Sequence, residues 1–179
     1  MAVEWTDPIT WVVGNKVTAA QMNAHIRDNS LFHHDPPRCA LRLTAVQSVA
    51  NATDHTVSWS EAVWDSHGDM WDVGGPSAIT ITRPGVYAFN LTTEWADTAS
   101  GGKRAAFLKK NGTLLRPFYS ASADSVSPFS SSNTIETNCA AADSFTVYVR
   151  QLSGAALNLA ATRTVLTVRW VAAAPVSGE

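Results

Sequence analysis

The chain has little charge and few cysteines. Only 16% of its 179 residues are charged, and the formal net charge at pH 7 is −2. Nucleic acids and anionic membranes attract clusters of Lys and Arg, so the sequence predicts neither as a partner. Cys39 and Cys139 are too few for a disulfide framework, and we expect both to be small buried side chains, with one disulfide between them as the alternative.

Long apolar runs and export signals are missing as well. No stretch reaches the roughly 20 apolar residues of a membrane-spanning helix. The N-terminus lacks the charged, apolar and small-residue segments of a secretory signal. The sequence therefore predicts a soluble protein. Its length suits one domain with an appendage, and not two domains of ordinary size.

Sequence signals of catalysis are also absent. There is no Gly-x-Ser-x-Gly turn for a nucleophilic serine, and no glycine-rich phosphate loop between a strand and a helix. We therefore expect no catalytic residues, no cofactor and no enzymatic activity. His33 and His34 are the strongest candidate metal ligands, because imidazole is a common donor. Adjacent histidines at the end of a helix more often point into solvent, so we expect no metal.

What the sequence does have is β-strand periodicity from residue 38 to residue 172. The clearest strand is 85–95, where large apolar side chains recur on one face after the turn Arg83-Pro84-Gly85. Asn111-Gly112 predicts a tight hairpin, because both residues tolerate positive φ. About eight to ten strands with no helix among them predict an all-β fold, an antiparallel jelly-roll sandwich.

Large side chains on these strands are expected to fill the core or the contact between subunits. They are Tyr87, Phe89, Leu91, Trp95, Phe145, Tyr148 and Trp170. Two predicted loops, 61–75 and 120–132, hold or adjoin three candidate ligand-binding rings, which are Trp64, Trp71 and Tyr119. A lectin-like or cytokine-like module would use such rings to bind carbohydrate.

Residues 1–37 form a separate N-terminal segment with one short helix. Thr18 and Gln21 have the spacing of a capping box, and the pair Pro36-Pro37 prevents the helix from continuing. Asn29 on the apolar side of the helix is typical of helices that fix register in an assembly. The predicted division is an arm and helix at 1–37, a jelly roll at 38–172 and a tail at 173–179.

The arm before the helix is irregular and holds Trp5 and Trp11. Chain termini are seldom ordered unless something binds them, and Trp is frequent among binding hot spots. These rings either anchor the chain to a partner or fold back onto their own domain.

Three segments of the strand region combine turns and strands in a recognisable order. They are PGVYAF at 84–89, LKKNGT at 108–113 and ADSFTVYV at 142–149. They resemble the jelly roll shared by tumour necrosis factor and the globular head of the first complement component. Ala142 stands where that family usually has Gly, so the third match is the weakest. The resemblance covers roughly residues 39–172, and it implies a tight homotrimer.

The N-terminal segment has motifs of its own. Trp11-Val12-Val13-Gly14 is followed by VTAAQMN at 17–23 and IRDN at 26–29. Together they resemble the start of many bacteriophage virion proteins, especially of actinobacterial phages, in which this segment precedes a variable C-terminal module. The resemblance implies that the segment attaches the protein to the particle. The docking or trimerising residues would then be Trp5, Trp11, Met22, Ile26, Arg27, Asp28 and Phe32.

Together the resemblances imply a non-enzymatic structural protein on the virion surface, made in the cytoplasm of the host bacterium. It would be a trimeric knob that contacts capsid or tail proteins through its N-terminal arm. No long shaft separates the arm from the globule, which favours capsid decoration or a head fibre. The alternative is a minor tail or tail-fibre protein that binds a glycan or receptor on the host surface.

Overall fold

The structure is a computed structural model that describes residues 5–95, 101–123 and 129–174. Residues 124–128 of the predicted Ser-rich loop and 175–179 of the predicted tail lie outside the described residues. None of the helices in the described ranges is long and apolar enough to cross a membrane.

One helical segment precedes the strands, as predicted. It consists of α1 (Ala19–Met22), a π-helical stretch (Asn23–Asp28) and α2 (Asn29–His34). The predicted capping box closes its start. The Thr18 hydroxyl accepts a hydrogen bond from the Gln21 N–H at 3.3 Å, and the Thr18 N–H donates to Gln21 Oε1 at 3.0 Å. These bonds satisfy backbone groups that the first turn leaves without partners.

Twelve strands follow in the described part of the chain. Four of them have only two or three residues, and the eight longer ones fall within the predicted range. In chain order they are β1 (Arg38–Arg42), β2 (Gln47–Val49), β3 (His55–Thr56), β4 (Glu61–Asp65), β5 (Ala78–Thr80), β6 (Gly85–Trp95), β7 (Gly102–Lys110), β8 (Thr113–Ala123), β9 (Phe129–Cys139), β10 (Ser144–Leu152), β11 (Leu157–Leu159) and β12 (Val165–Ala172).

The strands form two antiparallel sheets. The larger sheet has the order β2-β11-β6-β12-β1-β4, with β9 also paired to β6. The smaller sheet has the order β3-β10-β7-β8, with β5 also paired to β10. Neighbours in both sheets are often distant in sequence, which is the connectivity of a sandwich and not of a simple meander. The predicted all-β sandwich is confirmed.

The core lies between the two sheets. Phe89 of the larger sheet and Phe145 of the smaller one approach to 4.5 Å between ring centroids. Both are buried, as is Trp95 at the end of β6. Burying one such side chain fully contributes about 1.5–3 kcal/mol relative to leaving it exposed. These contacts hold the sheets together without a disulfide, since Cys39 and Cys139 are free and buried.

The interpretation of 61–75 as one loop is wrong for its first five residues. Glu61–Asp65 form β4, which pairs with β1 and places Trp64 opposite Ala40. Residues 61–64 include no typical turn residue, and the backbone groups of the stretch find hydrogen-bond partners at the edge of the sheet. The irregular segment begins only after Asp65.

The interpretation of 120–132 as a solvated loop is wrong at both ends. β8 continues to Ala123, and β9 begins at Phe129. Hydroxyl groups in this stretch bond across the sheet: Thr92 Oγ1 donates to Ser132 Oγ at 3.1 Å. Cross-strand pairs of this kind stabilise a strand even where Ser is abundant.

Candidate attachment site

The N-terminal arm is fastened to the jelly roll by an aromatic cluster. The centroid of the Trp5 ring lies 6.2 Å from that of Phe32, 5.1 Å from that of His33 and 6.1 Å from that of Trp170. Phe32 and Trp170 are in edge-to-face contact at 4.8 Å. Arm, helix and last strand therefore meet in one cluster of rings.

A buried asparagine holds the arm beside this cluster. Asn29 Oδ1 accepts a hydrogen bond from the Thr6 N–H at 2.9 Å, and Asn29 Nδ2 donates to the Thr6 carbonyl oxygen at 2.7 Å. The amide thus satisfies both backbone groups of one residue, as a neighbouring strand would. His25 Nδ1 lies 3.0 Å from the carbonyl oxygen of Asp7. We call residues 5–7, which these contacts hold, the strap.

The residues between strap and helix contact little else. Residues 8–17, which we call the linker, are all exposed apart from the partly buried Ile9. Among the hydrogen bonds of the described residues, the linker takes part only in a local turn, from the Asn15 N–H to the Val12 carbonyl oxygen at 3.2 Å. Val13 is fully exposed. The linker is therefore tied to the molecule mainly through its two ends.

The helix buries polar and aromatic side chains and leaves aliphatic ones outside. Asn29 and Phe32 are buried, whereas Met22 and Ile26 are 45% and 49% exposed. Half of the exposed large hydrophobic side chains in the described ranges, seven of fourteen, lie in residues 11–31. We call these seven the attachment segment: Trp11, Val12, Val13, Val17, Met22, Ile26 and Leu31. Such a concentration of exposed apolar side chains is typical of an interaction site.

The two arm tryptophans take different places. Trp5 folds back onto its own domain, while Trp11 is 45% exposed. Phe32, another predicted docking residue, is only 2% exposed because Trp5 and Trp170 cover it. Trp5 and Phe32 therefore fasten the segment internally, and of the predicted apolar docking residues Trp11, Met22 and Ile26 remain open to a partner.

The two charged residues predicted to dock bind each other. Arg27 Nη2 lies 2.7 Å from Asp28 Oδ1, with the Arg27 side chain 60% exposed. An exposed pair of this kind contributes at most about 1 kcal/mol. Their docking role stays a prediction.

All seven residues predicted for the core or a subunit contact are buried within one chain. The most exposed of them, Tyr148 and Trp170, reach only 7%. Tyr148 stacks on Phe107 with 4.9 Å between ring centroids. Six of the seven belong to the core cluster of one chain, and Tyr148 lies outside that cluster. A role of these residues in a contact between subunits stays a prediction.

The three candidate ligand-binding rings do not present one surface. The Trp71 indole N–H donates to the Pro76 carbonyl oxygen at 3.2 Å. The Tyr119 hydroxyl lies inside, 2.6 Å from Thr93 Oγ1 and 3.1 Å from the Trp95 indole nitrogen. Burial raises the pKa of Tyr119, so the hydroxyl stays protonated in its hydrogen bonds. Trp64 alone is exposed, at 42%.

Trp64 borders a shallow trough of about 320 Å³ on the outer face of the larger sheet. The strand register places Trp64, Ala40, Thr167, Asn90 and Thr134 in one row across five strands. Ala88 also lines the trough, and Asn90 Nδ2 donates to Thr134 Oγ1 at 2.7 Å. The trough thus combines an aromatic wall with hydrogen-bonding groups.

A larger cavity of about 410 Å³ lies beside the strap. Trp5 and Phe32 form part of its wall, and Ala173 after the last strand forms another. Arg83 also lines it, but this guanidinium already binds Asp69 at 3.1 Å. The arm and the end of β12 therefore meet at the same end of the sandwich.

The histidines and carboxylates of the described ranges do not gather into a metal site. No group of three His, Cys, Asp or Glu side chains within those ranges is placed to hold a metal ion. His33 and His34 are exposed. Asp65, in the acidic stretch 61–75, accepts hydrogen bonds from the backbone N–H groups of Gly68 and Met70 at 3.1 and 2.9 Å. Its carboxylate stabilises the loop.

The cysteines are not poised for chemistry either. Burial raises the pKa of Cys39 to about 12, with a smaller contribution from Asp65. Burial likewise raises the pKa of Cys139 to about 12. Both thiols are therefore protonated at neutral pH, and a thiol is a far weaker nucleophile than a thiolate.

The strap contacts were missed by sequence reasoning. Thr6 and Asn29 are 23 positions apart, and their contact joins a side chain to a backbone. Such a pairing has no periodicity and no motif. The one available signal was a polar Asn29 on the apolar side of a helix, which the sequence led us to assign to an assembly.

The fold has relatives among solved structures. The crystal structure of murine APRIL at pH 8.0 superimposes with a TM-score of 0.54 at 16% identity, over 75% of this chain and 98% of that one. Eiger TNF from S. frugiperda gives 0.54 at 15%, over 79% and 96%. The globular domain of zebrafish complement 1qA protein gives 0.54 at 13%, over 77% and 99%. These likenesses show the fold, and they confirm the predicted jelly-roll resemblance.

No family model matches the sequence, and no curated protein matches it either.

Proposed function

We propose that the protein is a non-enzymatic structural component of a bacteriophage particle, a trimeric surface knob held by its N-terminal segment. One observation carries the proposal. Residues 11–31 alone hold seven of the fourteen exposed large hydrophobic side chains of the described ranges, whereas the other seven are spread over residues 46–171. A partner that covers these side chains removes apolar surface from water, at about 25 cal/mol per Å².

The phage setting is supported by the motifs of the N-terminal segment. The motif at 11–14 lies within the linker, the motif at 17–23 spans the capped start of the helix, and the motif at 26–29 lies inside the helix. Met22 and Ile26, which belong to these motifs, are exposed, although the helix is packed on the jelly roll. Capsid decoration or a head fibre remains our preferred location, because the arm leads directly into a compact globule.

The trimer is supported by the resemblance to the jelly roll of tumour necrosis factor and the complement head. Seven predicted side chains are already enclosed in one chain, so assembly would use surfaces outside that core. Light scattering of the full chain tests this directly. A trimer mass is expected, and a monomer mass contradicts the proposal.

Attachment is tested by the double substitution Met22→Gln and Ile26→Gln in the full chain. Both side chains are about half exposed, so the fold should be retained while their apolar contact is lost. We expect incorporation into phage particles to fall about tenfold, which corresponds to about 1.4 kcal/mol. Removal of residues 1–37 is a poor test, because it uncovers Trp170.

Val73→Gln is the matched control, because Val73 is 74% exposed and lies outside the attachment segment. It should leave incorporation unchanged. Normal incorporation of the Met22→Gln/Ile26→Gln protein would reject attachment through the helix.

A second candidate function is binding of a host-surface saccharide, which one observation favours. Trp64 stands exposed beside a trough with Asn90, Thr134 and Thr167. A sugar ring can lie against an aromatic face and bond to such polar groups. A glycan array with wild type, Trp64→Ala and Val63→Ala is the test. A hit lost only in Trp64→Ala supports this function, and no hit for the wild type rejects it.

A further inference from the structure

The linker between the strap and the strap's binding site makes few contacts with the rest of the molecule. The site consists of Asn29, with two hydrogen bonds to Thr6, and the rings of Phe32 and Trp170 against Trp5. These contacts define which residues meet. They do not require the strap and the site to belong to one chain, because no hydrogen bond of the described residues ties the linker to the domain.

The linker is long enough to reach a neighbouring molecule. Ten residues span up to about 35 Å when extended. A folded chain of 179 residues has a radius of gyration of about 16 Å. A strap that leaves its own helix at Thr18 can therefore cross the boundary to an adjacent subunit.

The composition of the linker favours such a crossing. Trp11, Val12, Val13 and Val17 are between 45% and 101% exposed when the strap binds its own chain. A purely connecting segment has no need of four large apolar residues, and polar residues would keep it in water. Against a second subunit, these side chains would be covered while every contact of the strap is kept.

We propose that the strap is exchanged between subunits, so that residues 5–7 of one chain occupy the site of Asn29, Phe32 and Trp170 in a second copy. The inference rests on the proposed trimer. Exchange of an identical element adds no new contact type, so its cost is low. It assigns the linker residues to the subunit boundary and leaves Met22 and Ile26 for attachment to the particle.

Photo-cross-linking between isotopically distinct chains tests the exchange. Trp5 is replaced by p-benzoylphenylalanine, an aromatic residue that forms covalent bonds to neighbours on irradiation. Equal amounts of ¹⁴N and ¹⁵N full-length chains are mixed in denaturant and refolded, and their mass is checked by light scattering. After irradiation and digestion, mass spectrometry identifies the peptide joined to position 5.

Exchange predicts that residue 5 is joined to the 29–34 region or to Trp170, with about half of the pairs containing one chain of each isotope, because the second copy is drawn from an equal mixture. A trimer in which every such pair has a single isotope overturns the exchange and leaves the trimer intact. A monomer overturns both.

Two further variants guard against loss of the Trp5 contact and against random cross-linking. The photoreactive residue at Asp7, an exposed member of the strap, should give the same mixed pairs. At Trp71, whose indole bonds within its own chain, it should give single-isotope pairs. Mixed pairs at Trp71 as frequent as those at Trp5 would overturn the proposal.

Discussion

The jelly roll and the N-terminal segment differ in how far their apolar side chains are covered within one chain. In the jelly roll, large side chains such as Phe89 and Phe145 cover each other between two sheets. In the N-terminal segment, only the ends are fastened, by Trp5 and by the buried side of the helix. The apolar residues between them stay in water. The core between the sheets is thus covered within one chain, whereas the side chains of the linker are not.

The largest expected effect is on the jelly roll. Phe89→Ala removes a fully buried ring from the centre of the core and should lower the free energy of unfolding by about 3–5 kcal/mol, because a cavity remains. Urea unfolding followed by tryptophan fluorescence measures the loss. Ile26→Ala truncates a half-exposed apolar side chain of the N-terminal segment and should change stability by less than about 0.5 kcal/mol. Equal losses in the free energy of unfolding for both variants would contradict this difference between the two regions.

The second-largest loss of stability is expected for substitution of Asp143, a buried carboxylate. Asp143 accepts hydrogen bonds from the Ala140 N–H at 2.7 Å and Asn111 Nδ2 at 2.8 Å, and it pairs with Lys110 at 2.7 Å. Asp143→Asn loses the charged contact and should cost about 2 kcal/mol at pH 7. Asp72→Asn, an exposed carboxylate on a loop, is the control and should cost much less.

The contribution of Asp143 to the free energy of unfolding should depend on pH. Burial by itself would raise the pKa of Asp143, but the hydrogen bonds from Lys110, Ala140 and Asn111 outweigh it and lower the pKa below its usual 3.8. The charged form therefore stabilises the fold above pH 3.8, and this contribution is lost as the pH falls through the folded-state pKa. Urea unfolding between pH 7 and pH 2.5 should show wild type and Asp143→Asn converging. A constant difference would rule out this linkage.

A smaller, local effect is expected at the strap. Asn29→Ala removes both hydrogen bonds to Thr6 and should weaken the strap by about 1–2 kcal/mol. Faster hydrogen exchange at the Thr6 amide reports it, while amides of β6 should be unaffected. Asn23→Ala, on the exposed side of the helix, is the control. Faster exchange throughout β6 would show that arm and jelly roll unfold as one unit.

The smallest expected effect is a gain in stability. Ala142 has a φ of 68°, in the left-handed region that costs a residue with a Cβ about 1–2 kcal/mol. Ala142→Gly removes this strain but adds freedom to the unfolded chain, so we expect a net gain of about 0.5–1 kcal/mol. Ala141→Gly is the adjacent control and should be neutral or destabilising. A loss in Ala142→Gly would show that the turn is not strained.

The sequence predicted the jelly roll well because its signals are local. Period-two alternation marked β6, Asn111-Gly112 marked the hairpin, and Thr18 with Gln21 marked the helix start. Even the mismatch at Ala142 was visible, since the related turn usually has Gly and the structure shows positive φ there. Each of these signals acts within a few residues.

The candidate site was predicted less well because it depends on distant contacts. Trp5 meets Trp170 across almost the whole chain, and Asn29 meets Thr6 through a side chain. The resemblance to virion proteins implied that Trp5, Phe32 and Ile26 share one docking surface, although only Ile26 remains exposed. Which apolar residues are covered is settled by tertiary packing, and no pattern within the segment contains that information.

Strand β6 runs from the end of the sandwich that holds the strap to the opposite end. Gly85 begins the strand next to Trp170 and the strap, and Trp95 ends it opposite Leu159. Eleven residues of strand place these ends roughly 35 Å apart. If the strap end is bound to a particle, the exposed turn at Thr162 and Arg163 lies toward the opposite end and faces away from the particle. A peptide inserted there would be displayed to the surroundings without touching the arm.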